Sequence, residues 1–251
     1  MSESRVGIEQ FGPVADFYDR LMSTVPYRMW VGYYLLLLST IDSKPKRTLD
    51  VCCGTGAMAF LLEDEGMRVE GFDLSATMIA AAREKATQLL RTTRFEVQDA
   101  RTFDMGKTYD GAFCFFDSLN YIVDDGGLEA ALKRVFAHLE PGAAFIFDMN
   151  TAYAFEQKMF DQKKLDKRAK VRYQWFGDYD PATRIIRVDM SFWVDGEERH
   201  ETHVQRAYSD EEIREALERV GFEGVTVYHS YTLDKPRRTS DRVHYVAVKP
   251  A

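Results

Sequence analysis

Apolar residues recur along the first 150 positions in runs of five or six, separated by stretches in which they return every three or four positions. The short runs predict strands at Thr48 to Cys52, Arg68 to Phe72, Phe95 to Gln98, Gly111 to Phe116 and Ala143 to Asp148. The longer periods predict helices at Met58 to Asp64, Ser75 to about Leu90 and Leu128 to Leu139, with Pro141-Gly142 as the turn before the fifth strand. Ahead of the first strand, Ala15, Tyr18, Leu21 and Met22 share one stripe of a helical segment beginning at Phe11. Pro26 breaks it, and Tyr27 to Ser39 predict a second apolar helix. Strands alternating with helices predict an α/β fold, a doubly wound and mostly parallel sheet with right-handed crossovers.

The rhythm changes after Asn150. A polar helical stretch leads to three β-rich runs, Val171 to Phe176, Arg184 to Val194 and Arg199 to Tyr208, divided by the turn signals Asp180-Pro181 and Asp195-Gly196. Asp-Gly is the pair favoured in tight hairpins, so residues 169 to 208 predict an antiparallel β-meander inserted into the α/β unit. The main pattern resumes with Ser209-x-x-Glu212, a capping box that opens a helix to Val220, where Gly221 closes it. Two more strands, Gly224 to Tyr231 and Arg242 to Val248, bring the main sheet to seven.

At 251 residues and 45% apolar content the chain can bury a full core without a disulfide or a metal. Cys52, Cys53 and Cys114 sit in strand-like runs with neither zinc-site nor disulfide spacing, which fits a reducing cytoplasm. The start, MSESRVGIEQ, carries no signal-peptide pattern, and the apolar run Trp30 to Leu38 is short of the about 20 residues that span a bilayer. These features predict a soluble protein with no membrane partner. The net charge of −7 argues against a large polyanionic partner. The one dense basic run, Lys163, Lys164, Lys167, Arg168, Lys170 and Arg172, reads as a solvated helix end leading into a strand, ahead of an RNA contact.

The chemistry concentrates around Gly54-x-Gly56-x-x-Ala59, a strand-to-helix loop whose glycines let backbone approach a ligand. Two ligands compete for it, a nicotinamide dinucleotide and S-adenosylmethionine. A dinucleotide sets a pyrophosphate on the helix N-terminus, which a carboxylate just before the loop would repel. Asp50 stands four residues before Gly54, and suits an ammonium group. Asp73, at the end of the second strand, is placed to grip ribose hydroxyls under either reading. Asp99 breaks the tie, because a carboxylate after the third strand can accept the adenine amino group. No cysteine follows a proline, and no Asn/Asp-Pro-Pro-Tyr is present, which argues against nucleic-acid base methylation.

These residues sit in a sequence that resembles the class I S-adenosylmethionine-dependent methyltransferases over nearly its whole length. LDVCCGTG, GFDLSATMIAAAREKA, QDAR and YDGAFCFFDSLNYI are similar to that family's first four motifs. LEPGAAFIFDMN is similar to its fifth strand, with Ala143 where a second glycine is usual. DFYDRLM, PYRMW, FDSLNY and the β-insertion most resemble the small-molecule branch containing glycine and aminosugar N-methyltransferases. The resemblance implies a Rossmann-like methyltransferase fold: lid helices over residues 1–45, a cofactor domain over 46–150 and 209–251, and an inserted sheet over 151–208 that roofs the acceptor. It also implies that Asp50, Gly54 and Gly56 hold the methionine end of S-adenosylmethionine, Asp73 its ribose, and Leu74, Met78, Asp99 and Ala100 its adenine. Phe116 and Tyr27 would face the cofactor. Tyr18, Asp117 and Tyr121 are the candidate catalytic residues, with Ser118 and Asn120 beside the acceptor.

The implied activity is methyl transfer to a small-molecule N or O acceptor, with S-adenosylhomocysteine as product, no metal, and the oligomeric state left open. An RNA-modifying methyltransferase, a nicotinamide oxidoreductase and a non-catalytic binding protein remain alternatives. In the insertion, Tyr173, Trp175, Trp193, His200, His203 and Arg206 alternate along strands, so only some can face a cavity. Packing or surface roles are expected for most of them, and His200 and His203 should point to opposite faces.

Overall fold

The computed structural model describes residues 11, 12, 14–166 and 168–251. In chain order the elements are α1 (Tyr18–Leu21), α2 (Tyr27–Ser39), β1 (Arg47–Val51), α3 (Ala57–Asp64), β2 (Arg68–Asp73), α4 (Ala76–Gln88), β3 (Arg94–Val97), β4 (Tyr109–Cys114), α5 (Gly127–Ala137) and β5 (Leu139–Asn150). Then follow α6 (Ala152–Glu156), β6 (Gln162–Lys164), β7 (Arg172–Asp180), β8 (Ile185–Val194), β9 (Glu197–Arg206), α7 (Asp210–Val220), β10 (Glu223–His229) and β11 (Arg242–Val248).

Seven strands form the main sheet in the order β10-β11-β5-β4-β1-β2-β3, with β11 running opposite to the other six. Its central strands are apolar on both faces because helices cover both. Leu49, Val51, Phe145 and Phe147 pack in one cluster with Leu132 of α5 and Leu217 of α7. Phe113, Ile146 and Val246 face the other way, into a cluster with Tyr34 of α2 and Ile79 of α4. The β1–β4 strand order reverses beside the Gly54 loop, the crevice where open α/β sheets bind ligands.

Three elements differ from the sequence pattern. Pro141-Gly142 does not end a helix-strand turn. It lies inside β5, where Gly142 (φ 79°) donates its N–H to the Lys249 carbonyl at 2.9 Å and the register against β4 shifts between Tyr109 and Gly111. The helical stripe expected from Phe11 shrinks to the one-turn α1. Val14 and Phe17, outside that stripe, are the buried residues, because they pack on the inserted sheet against Val188 and Phe192. Tertiary packing sets this segment and local periodicity does not. The basic run is not a helix end: Lys163 and Lys164 lie exposed in β6, paired with Gln174 and Tyr173. A lysine-bearing edge strand discourages further pairing. Lys167, like the start MSESRVGIEQ, lies outside the described residues.

The second sheet is antiparallel with order β6-β7-β8-β9. Ile186, Val188, Met190, Phe192 and Val194 alternate onto its inner face with Val14, Phe17 and Phe155. The N-terminal segment ties the two sheets together. Asp19 accepts from Thr55 Oγ1 at 2.7 Å on the glycine loop, while Arg20 and Asp16 pair with Asp195 and Arg199 of the insertion. Ser209 and Glu212 form the expected capping box on α7, and Gly221 (φ 106°) closes it. No helix among the described residues is long and apolar enough to cross a membrane.

Candidate active site

After β1 the chain turns with Cys52, Gly54 and Gly56 all at positive φ (60°, 53° and 74°). The two glycines serve different ends. A Cβ on Gly56 would stand 2.7 Å from Cζ of Phe95, so Gly56 lets α3 pack closely, whereas Gly54 faces open space. That space belongs to a cavity of about 470 Å³ running from the glycine loop to Asp99 and Ala100.

Asp50 lies on its wall, 3% exposed, and its Oδ2 has no hydrogen-bond partner among the described residues. Burial, then the neighbouring Asp73, holds its carboxyl well above the usual carboxylate range. Asp73 is also raised by burial, opposed by the N–H groups of Ser75 and Gly54, which donate to Oδ1 and Oδ2 at 2.9 Å each. Capping of α4 falls to Ser75, whose hydroxyl accepts from Met78 N–H. The wall therefore carries two buried carboxyls, with Asp50 Oδ2 left open to a donor or a cation.

Leu74, 66% exposed, and the buried Met78 line the same cavity from the turn into α4. At the far end the Arg101 guanidinium donates to Asp99, Nε to Oδ1 at 3.0 Å, and reaches Asp124. That hydrogen bonding is the main cause of a lowered Asp99 pKa. Tyr27 and Phe116 flank Trp30, with ring centroids 5.3 and 5.1 Å from it. Sequence periodicity assigns Trp30 to the core; it packs there and also lines the cavity. Arg101 was equally hidden, as a neighbour of the acidic residue in QDAR.

A second cavity of about 300 Å³ opens between the main sheet and the insertion. Phe11, Tyr18, Phe116 and Tyr121 line both cavities and form the wall between them. Phe116 and Asp117 both take positive φ (71° and 49°), uncommon for non-glycine residues, where β4 gives way to a 3-10 turn over Ser118–Tyr121.

Asp117 is not a free proton acceptor. Its Oδ1 accepts from Arg242 at 2.7 Å and its Oδ2 from Gln205 Nε2 at 2.6 Å. Arg242 also pairs with buried Asp148, so one cation serves two carboxylates. Ser118 lines the first cavity. Asn120 lines neither: its Nδ2 donates to the carbonyls of Asn150 and Arg206.

Tyr121 meets His203 Nδ1 at 2.9 Å, His203 Nε2 meets Glu201 Oε2 at 2.8 Å, and Glu201 Oε1 accepts the Val14 N–H at 3.1 Å. Burial pushes the hydroxyl pKa of Tyr18 and Tyr121 well up. His200 points to the opposite, exposed face beside Ser191, as strand alternation requires. Trp175 Nε1 and Asn150 Nδ2, buried donors on or beside the second cavity's lining residues, have no partner among the described residues. Trp193 lies under the Arg172 guanidinium, and Arg206 pairs with Asp125. Glu201 and Asn150 escaped the sequence reading, which named Trp175 without giving it a face, although the period of two in β9 places Glu201 on the same face as His203.

The methyltransferase-domain family profile matches residues 48–142, the stretch from β1 to the start of β5. A Geobacillus sp. (strain WCH70) protein named only as a methyltransferase is 30% identical over 241 residues, spanning 94% of this chain and 98% of that one. The dTDP-3-amino-3,6-dideoxy-alpha-D-glucopyranose N,N-dimethyltransferase of Streptomyces fradiae is 30% identical over 139 residues, 55% of this chain and 53% of that one. A crystal structure of an S-adenosylmethionine-dependent methyltransferase from Clostridium acetobutylicum superposes with a TM-score of 0.84 at 26% identity, covering 95% of this chain and 98% of that one. The sugar N-methyltransferase KedS8 from Streptoalloteichus sp shares the fold, with a TM-score of 0.78 at 21% identity over 100% of this chain and 98% of that one. End-to-end similarity of this kind, on a sheet whose glycine loop and acidic strand ends form one cavity, makes the chain a member of the class I S-adenosylmethionine-dependent methyltransferases.

Proposed function

We propose that the chain methylates an amine on a small molecule held beneath the inserted sheet. The observation that carries this reading is the shared aromatic wall: two cavities meet at Phe11, Tyr18, Phe116 and Tyr121, one with an unpartnered carboxylate and the other beside unpartnered donors. The residues fit the cofactor. Asp50 Oδ2 would take its ammonium group, and the open side of Gly54 would let backbone approach its carboxylate. Asp73 has lone pairs left for ribose hydroxyls. Asp99 and Ala100 would meet the adenine edge, between Leu74 and Met78. Tyr27 and Phe116 would complete the wall.

Bound there, S-adenosylmethionine supplies a methyl group on a positively charged sulfur. The chain's contribution is positioning, because an in-line displacement gains most from holding the acceptor nitrogen in line at about 3 Å. Ring faces of Tyr18 and Phe116 toward a cation add about 1 kcal/mol. Trp175 Nε1–H and Asn150 Nδ2–H would orient acceptor oxygens. Residues 1–45 would act as the lid, 46–150 with 209–251 as the cofactor unit, and 151–208 as the acceptor cover. The aminosugar named for the Streptomyces relative is a reasonable first acceptor to try.

Calorimetry with S-adenosylmethionine tests the cofactor half, and release of S-adenosylhomocysteine over an amine library that includes dTDP-3-amino-3,6-dideoxyglucose tests the acceptor half. Binding at micromolar concentration and turnover with an amine are expected. No binding at millimolar concentration, a thermal shift favouring NAD, or turnover only with RNA would overturn the proposal.

A further inference from the structure

We infer that Glu201, His203 and Tyr121 form a proton relay that strips the acceptor amine of its proton before methyl transfer. This rests on the acceptor site proposed above. Glu201 and His203 project from the same face of β9 and are almost fully buried, with side chains 2% and 5% exposed. Tyr121 reaches them from the 3-10 turn after β4 and lines both cavities.

With Glu201 ionised, the hydrogen bonds run in one direction. The Val14 N–H can only donate, which makes Glu201 Oε1 an acceptor, and an ionised carboxylate accepts at Oε2 as well. His203 must then carry its proton on Nε2 and donate it to Glu201 Oε2. Nδ1 is left as a lone pair, into which Tyr121 O–H donates. A carboxylate that fixes the tautomer of an imidazole, which in turn draws on a hydroxyl, is an established arrangement for moving protons.

The relay answers a chemical need. An ammonium group has no lone pair to attack a methyl group, so its proton must leave. Tyr121 cannot do this as a phenolate, because burial keeps its own proton on. It can accept one only while passing its own to His203. The acceptor R–NH3+ gives a proton to Tyr121 oxygen, the tyrosyl proton moves to His203 Nδ1, and the imidazolium forms against the Glu201 carboxylate. The products are R–NH2 and protonated His203, with no other bond changed and the proton later lost to solvent. Phe11 covers the relay, its centroid 4.4 Å from His203 and 5.4 Å from Tyr121. Of the other groups facing Tyr121, Asp117 and Arg242 are already paired with each other, Gln205 reaches the Tyr121 hydroxyl, and burial keeps the proton on Tyr18.

The test uses the full chain with 15N-labelled histidine, loaded with S-adenosylhomocysteine. The resonance lost in His203→Gln assigns the ring. The neutral ring should carry its proton on Nε2, and Tyr121→Phe should shift the Nδ1 resonance. With dTDP-3-amino-3,6-dideoxyglucose as the probe acceptor, Tyr121→Phe and His203→Gln should lower kcat on the order of a hundredfold, with KM within a few-fold. The deficit should narrow as pH rises, because the free amine then forms without the relay. Glu201→Gln should sit between wild type and these variants. A proton on Nδ1, or a Tyr121→Phe rate with the wild-type pH profile, overturns the relay. Absence of cofactor binding in the wild type would instead overturn the methyltransferase site, and binding without turnover of the probe would count against the acceptor proposed, with the histidine spectrum still deciding the relay.

Discussion

The two cavities are built in opposite ways. The larger one is made from strand ends that follow one another in sequence, so that Asp50, Gly54, Asp73 and Asp99 fall within fifty residues and project from β1, β2 and β3 in order. The smaller one draws Tyr121, Asn150, Trp175, His203 and Arg242 from five separate elements. The first presents backbone and short acids, whose short reach fixes where a ligand can sit. The second presents long side chains, with Trp175 and His203 drawn from the added sheet, where one exchange redraws the wall. A family can hold its cofactor constant and vary its acceptor with this division.

The sharpest way to break the comparison is Asp50→Asn. If the larger cavity is the cofactor site, losing the partner of a buried ammonium should weaken S-adenosylmethionine about a hundredfold, roughly 2–3 kcal/mol, as measured by calorimetry. Above the pH at which Asp50 ionises, the ligand-free variant should also melt higher, since the desolvated charge is gone.

The same residue sets a pH dependence. Because the folded state raises the Asp50 pKa, ligand-free stability is full below the ordinary carboxylate range and declines as pH rises through the raised value. Cofactor binding should therefore release a proton on the acid side of that value and tighten with rising pH. Calorimetry in two buffers of different ionisation enthalpy measures the proton directly; equal heats in both would contradict it.

On the other side, Trp175→Phe removes one unpartnered donor and keeps a smaller aromatic ring. Acceptor KM should rise about tenfold while cofactor Kd stays put, and a change in cofactor Kd would blur the division between the cavities. The smallest effect is expected at Ser209→Ala, which unties the cap of α7 away from both. It should cost about 1 kcal/mol, or roughly 2–4 °C in Tm, without altering either binding constant.

The main sheet was legible because its strands and helices have distinct periods, and the loop because glycine and aspartate carry their reasons locally: φ above zero at Gly54 and Gly56, an unpaired charge at Asp50. What stayed hidden depended on partners distant in sequence. Asp117 looked like a free acid until Arg242, 125 residues on, took one of its oxygens. Val14 and Phe17 looked less buried than Ala15 and Leu21 until the inserted sheet arrived beneath them. Trp30 read as core, which it is, with no local sign that one face would border a cavity. His203 could be placed on a strand face, but nothing nearby in sequence pairs it with Tyr121.

Asn120 gives the insertion its independence. It is fully buried, and its amide holds the carbonyls of Asn150 and Arg206, the last residues of β5 and of β9, while its Oδ1 accepts the Asn150 N–H. One side chain thus clasps the point where the chain leaves the main sheet and the point where it returns. A segment whose ends already touch adds little closure entropy to the fold that hosts it. A change in the length of the inserted sheet therefore costs the host fold little in chain closure, because both of its ends are already held together at this asparagine.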